Sequence, residues 1–560
     1  MSRQRHPFNH RSIAIRVSAL GLSFTLAFGS ALSAETTSSY TKRKSSLYRD
    51  VFDQNIYYEG TQYFHLERFY RDLFGKRKPA LDINAFDEVP NSSFFTNRHG
   101  RERMSIDALK KGPSVTSGPN LNGKWSITKG KFEGVTPGFF IQDEKGDRYL
   151  LKFDPMDYVE LATGAEVAAS RFMYALGYNI PQYTIVRFKK DQLVIAPDAK
   201  VYDDNGFQRK LTPERLEAFL LFLPETADNF YRASASRILE GKILGPMPFQ
   251  GRRREDPDDS IDHIDRREIR ALQVFASWLN NYDTRESNSL DVLETENGKD
   301  RIKHYLIDFN SALGARPAGP KPPTFGHEYL FDYGETLKAI LSLGLWKKPW
   351  QKRWDEAGRE VASPTAGYFD NRYFDPGRYK TQLPYFPFKD LACSDGFWAA
   401  KQIMKFTDAE IREIVSTGEY SDPKAQETIA QTLIERRDLI GRYWFKRVNP
   451  LDDFQLFESG DGYELRFEDL AVRHHFEAEG ASTYRLDVIA PEGKKGQRIA
   501  EEDTQSLTFP LRSEWLSAHP SLDLLIRTRH GDKKAWSPLV RIEIRSENRH
   551  PRIAGIFHQD

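Results

Sequence analysis

The chain holds one cysteine, Cys393, in 560 residues. An internal disulfide is therefore excluded, and so is any Cys-rich metal site. An excess of one charge is also missing. Lys plus Arg total 81 and Asp plus Glu total 80, a formal net charge of +1. That balance provides no global pull towards nucleic acid or anionic lipid. Local runs such as Arg252, Arg253 and Arg254 read as a solvated loop. No His-Glu-x-x-His motif occurs, which leaves zinc hydrolysis without support. A Gly-x-Ser-x-Gly elbow is absent too. His474-His475 reads as part of a strand and turn. There is no internal repeat, and no long apolar run beyond the first 34 residues.

What is present is core-forming material, at 39% hydrophobic and 13% aromatic residues. A chain this long and this apolar buries a large core without disulfides. The aromatic richness is read as core packing, with sugar-binding platforms in the last domain as the competing reading. The N-terminus differs from the rest. Arg3, Arg5, Arg11 and Arg16 precede an apolar stretch from Val17 to about Ser33, followed by small residues at Ala31, Ser33 and Ala34. That order predicts a signal peptide over residues 1–34 and an exported, periplasmic or secreted protein. An uncleaved anchor is the alternative. No Cys follows the apolar run, which argues against a lipid-attached N-terminus. After signal cleavage the mature chain is expected to be soluble, with no integral membrane segment and no nucleic-acid partner.

Residues 35–118 read as a polar linker followed by an N-terminal extension, with helical periodicity around Tyr63 to Phe74. From about Trp125 the pattern turns to strands. Phe139-Phe140-Ile141 and Tyr149-Leu150-Leu151-Lys152-Phe153 flank Asp143-Glu144-Lys145-Gly146-Asp147, a hairpin signal. A helix is predicted from near Ala162 to Leu176, closed by Gly177. Strands follow at Tyr183–Phe188 and Gln192–Ile195, a helix at Pro213–Phe222, and a strand between Tyr231 and Ile243. Ile264, Ile269, Leu272, Phe275 and Leu279 form a helical stripe. The 402–446 region reads as two helical pieces, with Thr407-Asp408-Ala409-Glu410 as a capping box. After Pro450, short alternating segments predict a small all-β domain.

An ordered polar set runs through this pattern. Lys152 ends a strand and Glu166 lies on the next helix. Asp283 and Asn288 share a loop after an amphipathic helix. Asp308 follows the apolar run Tyr305-Leu306-Ile307. Phosphoryl transfer needs such parts: a cation for the phosphates, oxygen ligands for a metal, and a carboxylate beside the acceptor hydroxyl. Glu160 is the rival partner for Lys152. Asp291 is the rival to Asp283 under a different alignment of the loop.

The Asp-x4-Asn loop followed by Ile307-Asp308-Phe309 resembles the catalytic and metal-binding loops of the protein-kinase-like superfamily, in its atypical branches. These include HipA-type kinases, phosphoinositide 3/4-kinases, and the CotH and secretory-pathway kinases. Glu166 to Pro181, with Leu176-Gly177-Tyr178-Asn179-Ile180-Pro181, is similar to the first-lobe helix and exit turn of HipA-type proteins. The resemblance spans about residues 120 to 445. It extends to exported bacterial proteins of the same layout. It implies an α+β fold: a bilobal kinase-like domain, N-lobe 119–250 and helical C-lobe 251–449, with a sandwich-like β domain at 450–560. It implies an ATP- and Mg²⁺- (or Mn²⁺-) dependent phosphotransferase acting on a protein, sugar or lipid hydroxyl. The alternative is an inactive kinase-fold binding or scaffolding protein of the cell envelope. By the same resemblance Asp283 is the catalytic base, and Asn288 and Asp308 hold the metal. Lys152, Glu166, Lys131 and Gly134 serve the nucleotide. Gly130 to Gly138 takes the place of the phosphate-covering loop, and Pro246 to Gly251 lies near the adenine-side hinge. The chain departs from the pattern in three places. Asn-Asn-Tyr stands where His-Arg precedes the base, the phosphate loop lacks Gly-x-Gly-x-x-Gly and contains Pro137, and Asn310 replaces the glycine after Asp308-Phe309.

Overall fold

Alternation and turn chemistry build the first sheet. The computed structural model describes residue 42, residues 47–57, positions 70, 71, 73 and 74, and residues 77–560 apart from 132–135, 203–206, 227, 323, 349, 352–362, 461, 492–495, 532–534 and 548–549. The expected signal segment 1–34, Gly134, and most of Tyr63 to Phe74 lie outside the described residues. The remainder from Lys42 to Asp560 is one compact unit of mixed α+β structure.

It opens with α1 (Leu47–Phe52) and α2 (Ile106–Lys111). The expected hairpin forms from β2 (Gly138–Gln142) and β3 (Arg148–Phe153), after β1 (Trp125–Gly130). Asp143 Oδ1 accepts from the amides of Lys145 and Asp147, both at 3.0 Å, and fixes the turn. Helix α3 (Leu161–Leu176) follows, then β4 (Tyr183–Phe188), β5 (Leu193–Tyr202), β6 (Gln208–Lys210), α4 (Pro213–Leu220) and β7 (Tyr231–Arg237). The seven strands order as β4-β7-β3-β2-β1-β5-β6. Within it Gly138 pairs with Lys152, and Lys152 with Ser234. Gly138 must be glycine, because a Cβ there would meet the Leu151 carbonyl oxygen at 2.3 Å. The core under one face gathers Trp125, Tyr149, Leu151 and Phe153.

Helix α3 is rich in small residues and almost wholly buried. Its first turn is capped at a distance by Asp154, which accepts from the amides of Ala162 (2.8 Å) and Thr163 (2.9 Å). Next come β8 (Lys242–Gly245), α5 (Arg267–Leu279), β9 (Ser289–Glu296) and β10 (Lys299–Leu306), the three strands ordered β10-β9-β8. The small hairpin β11 (Ala315–Arg316) and β12 (Gly319–Pro320) leads to α6 (Tyr333–Leu341), α7 (Phe386–Lys389), α8 (Cys393–Met404), α9 (Asp408–Ser416) and α10 (Pro423–Phe445). The capping box opens α9: Thr407 Oγ1 accepts from the Glu410 amide, and Glu410 Oε2 from the Thr407 amide at 2.8 Å. Two helices, α9 and α10, cover most of 402–446, and α8 ends inside it. Helices α3, α5, α8 and α10 share one apolar core.

The last 110 residues carry strands from β13 (Leu451–Ser459) to β20 (His550–His558), in a three-stranded and a five-stranded sheet, with their own cluster of buried residues from Leu451 to Ile556. This region is tied back to the N-terminal extension. The Ile556 amide donates to the Ala85 carbonyl at 2.7 Å, and His558 Nδ1 lies 2.8 Å from Asp87 Oδ2.

Two surface expectations are corrected. Arg253 does not sit in a solvated loop. It is 3% exposed and ion-paired with Asp291 Oδ2 at 2.5 Å, because the loop folds under β9. His474 and His475 do not belong to a strand: they close the short helical turn Leu470–Arg473.

Candidate active site

Strand alternation turns Lys152 to the face of the sheet that α3 covers, opposite Leu151 and Phe153. Glu166 enters that space from α3. Lys152 Nζ lies 2.5 Å from Glu166 Oε1 and 2.9 Å from Asp308 Oδ1. Lys152 is 5% exposed and Glu166 1%. Ser234, beside Lys152 on β7, donates to the other Glu166 oxygen. Burial opposes the lysine's charge, yet Asp308 and then Glu166 hold its pKa above the ordinary value. For Glu166 burial wins and raises the pKa, with Lys152 pulling the other way. The rival Glu160 is engaged elsewhere. It precedes α3 and accepts from the amide (2.7 Å) and hydroxyl (3.0 Å) of Ser421.

Asp308 ends the β10 run in a left-handed conformation, φ 62°. A non-glycine residue there needs an external hold. The buried Tyr183 supplies it: the Asp308 amide donates to Tyr183 Oη at 3.1 Å, and the Tyr183 ring packs edge-on to Phe309. Burial would raise the Asp308 pKa, but Lys152, Lys131 and Arg285 lower it below the usual range. The carboxylate is thus held ionised.

Asp283 and Asn288 lie in the loop between α5 and β9. Asn280, left-handed at φ 51°, ends α5. The turn Glu286–Asn288 then aims Asn288 back, and its Nδ2 donates to the Asp283 carbonyl at 2.8 Å and to Asp283 Oδ2 at 3.1 Å. The other oxygen, Oδ1, is buried and accepts no aligned hydrogen bond, although Arg285 Nη1 stands 3.0 Å away. Burial first, and the neighbouring Asp308 charge, push the Asp283 pKa up to about 6, against Arg285 and Asn288. The rival Asp291 is fully buried between Arg253 and His304 (Nδ1 at 2.7 Å), inside the sheet.

Lys131 reaches back across its own loop, with Nζ donating to the Thr136 carbonyl at 3.1 Å. Gly134 of the same loop lies outside the described residues. Asn310 donates to Thr136 Oγ1 at 2.9 Å, which ties the loop after Asp308 to the Gly130–Gly138 segment. In the Pro246 to Gly251 segment, the amides of Met247 and Phe249 are committed to Ser289 Oγ (2.9 Å) and Glu286 Oε1 (2.8 Å). This segment packs against the Asp283–Asn288 loop.

The structure brings Lys152, Glu166 and Asp308 into direct contact. It joins Asp283 to Asn288, and the two groups face each other through the charges of Asp308 and Arg285. Sequence reasoning missed Ser234, Tyr183, Arg285 and Lys321. Lys321 is buried, donates to the Asn280 carbonyl, and has its pKa driven well down by burial. Only Arg285 stood close enough in sequence to Asp283 to be suspected.

Among the described residues no group of three or more His, Cys, Asp or Glu is arranged to hold a metal. The donors expected from the sequence are one carboxylate, Asp308, and one side-chain amide oxygen, Asn288. They fit a hard divalent cation that keeps waters and phosphate oxygens as its other ligands, as Mg²⁺ does.

No protein-family model matches the chain, and no curated protein matches it significantly. Among solved structures the chain is similar to the Helicobacter pylori proinflammatory kinase CtkA, at 11% identity over 58% of this chain and 96% of that one, TM-score 0.31. It is also similar to the Golgi casein kinase, at 9% identity over 74% of this chain and 93% of that one, TM-score 0.31. At this TM-score neither likeness carries weight beside the side-chain geometry.

Proposed function

We propose that the chain is an exported, kinase-like phosphotransferase that moves a phosphoryl group from ATP to a hydroxyl of a protein, sugar or lipid. The observation that carries this reading is the bridge of Lys152 between Glu166 and Asp308, with the Asp283 carboxylate, whose Oδ1 faces Arg285 at 3.0 Å, near enough for the Asp308 charge to raise its pKa. In this reading residues 119–449 form a bilobal catalytic domain, with the seven-stranded sheet and α3 as one lobe. Residues 450–560 form a separate β domain.

Each residue then has a task. Glu166 holds the Lys152 ammonium at a fixed place, where it binds phosphate oxygens. Asp308, with Oδ1 on Lys152, offers Oδ2 to the cation, and Asn288 offers its Oδ1. Bound Mg²⁺ or Mn²⁺ would neutralise phosphate charge and align the γ-phosphoryl group. Asp283 Oδ1 accepts the proton of the acceptor hydroxyl, and a pKa near neutrality suits that transfer. Asn288, bonded to Oδ2, keeps the carboxylate turned. Lys131 and Asn310 anchor Thr136 and with it the segment over the phosphates.

The test is a thermal-shift titration with ATP, with and without Mg²⁺ or Mn²⁺, beside Asp308→Ala. A ligand of the native state raises the midpoint by mass action. The expected result is a metal-dependent rise that the variant loses. No rise at saturating nucleotide would refute the phosphotransferase. It would favour a second reading, a kinase-shaped binding module of the envelope, which suits the expected export because ATP is scarce outside the cytoplasm.

A further inference from the structure

Helix α6 has an amphipathic sequence but no buried residue along its length. Its apolar side chains face out: Leu337 is 56% exposed, Ile340 64% and Leu341 75%. The turn after it goes further, with Leu343 at 91%, Leu345 at 85% and Trp346 at 40%. Leu343 is left-handed, φ 50°, followed by Gly344 at φ 82°. A leucine held in that disfavoured conformation and turned to solvent contributes nothing to the core. Contiguous exposed apolar surface of this kind marks an interaction site.

The composition selects the partner. Protein interfaces centre on Trp, Tyr and Arg, with Leu under-represented. Here the order is inverted, with aliphatic side chains at the tip and the indole at the edge. Trp346 Nε1 donates to Glu335 Oε2 at 3.0 Å, and the Lys338 ammonium stands 5.4 Å from the Trp346 ring centre. Lys338 is paired with Glu335 at 2.8 Å, and Lys347 and Lys348 follow at once, Lys348 paired with Glu328 at 2.5 Å. An aliphatic tip with tryptophan and lysine at its rim matches the bilayer interface, where indoles and amines sit at headgroup level.

The neighbouring segment agrees. Tyr333 Oη donates to the Asn55 carbonyl at 3.0 Å, which sets α6 beside the segment after α1. Phe52 (53%), the last residue of α1, and Ile56 (56%) are exposed there. No helix among the described residues is long and apolar enough to cross a membrane. A surface that lies on the bilayer, and does not cross it, is the arrangement these residues fit.

We propose that α6 and the turn after it dock on a phospholipid bilayer, seating Leu341, Leu343 and Leu345 at the boundary of headgroups and acyl chains. This does not depend on the phosphotransferase reading. The test is hydrogen exchange by mass spectrometry on the full chain, with and without vesicles of phosphatidylcholine and phosphatidylglycerol. Exchange across Tyr333–Lys348 should slow by about tenfold when vesicles are added. The triple variant Leu341→Asp, Leu343→Asp, Leu345→Asp should lose that protection. Its exchange in β18 (Ser521–His530) should not change, because the three side chains are exposed. Protection is read peptide by peptide, so a leader that binds vesicles by itself does not mimic the result. Absence of vesicle-dependent protection would overturn the proposal. So would protection that grows with protein concentration and ignores lipid, which would assign the surface to a second copy of the chain.

Discussion

Replacing Lys152 by Met removes the ammonium that Glu166 and Asp308 share. Glu166, 1% exposed, would keep only the Ser234 hydroxyl as a donor. Stranding one member of a buried ion pair costs about 3–5 kcal/mol. The Ser234 bond and the partial exposure of Asp308 put the expected loss near the lower end, about 3 kcal/mol. The cost also depends on pH. The pKa of Glu166 is already raised by burial, and without Lys152 it rises further. The folded variant then binds a proton more tightly than the unfolded chain, so its deficit is largest at neutral pH and shrinks in mild acid. Glu166→Gln in the same chain removes the stranded charge and keeps an acceptor for Ser234. The double variant should therefore be more stable than the sum of the singles predicts, by about 1–3 kcal/mol. Denaturant unfolding followed by tryptophan fluorescence at neutral pH and in mild acid measures all four corners. Additive losses, with coupling under about 0.5 kcal/mol, would refute the buried bridge.

Other perturbations separate function from scaffold. Asp283→Asn should stabilise the protein at neutral pH by about 1–3 kcal/mol, because a carboxyl raised from 3.8 to about 6 loses folding stability as pH climbs through that window. The gain in melting temperature should vanish below about pH 4, and an Asn variant no more stable than the parent at neutral pH would contradict it. Asp291→Ala should instead cost about 3 kcal/mol by removing the buried carboxylate that Arg253 and His304 share, with Glu255 still 3.2 Å from Arg253, and a mild effect on the melting temperature would reopen Asp291 as the base. Asn310→Gly restores the glycine of the resembled pattern but cuts the tie to Thr136. ATP affinity should fall about fivefold for one hydrogen bond, measured by calorimetry, and unchanged affinity would remove Asn310 from the nucleotide site.

Much of the local structure was legible in the residues. The Asp143–Asp147 turn, the run from Ala162 to Gly177, and the Thr407 box are each written within one or two turns of chain. Caps, turns and periodicity act at that range. The same holds for the order Lys152, Glu166, Asp283, Asn288 and Asp308. Their convergence was not legible. The Lys152–Asp308 contact spans 156 positions and the Ser234–Glu166 contact 68. Both depend on which strands pair and in what register. Glu160 and Glu166 were equal candidates in type, and so were Asp283 and Asp291. Tertiary packing separated them by turning one of each pair to Ser421 or into the β9 sheet. Arg253 looked like one of three solvated arginines until the fold buried it against a carboxylate. The reason is general: a residue's local pattern dictates its backbone, but its charge state and neighbours come from segments that sequence spacing does not connect.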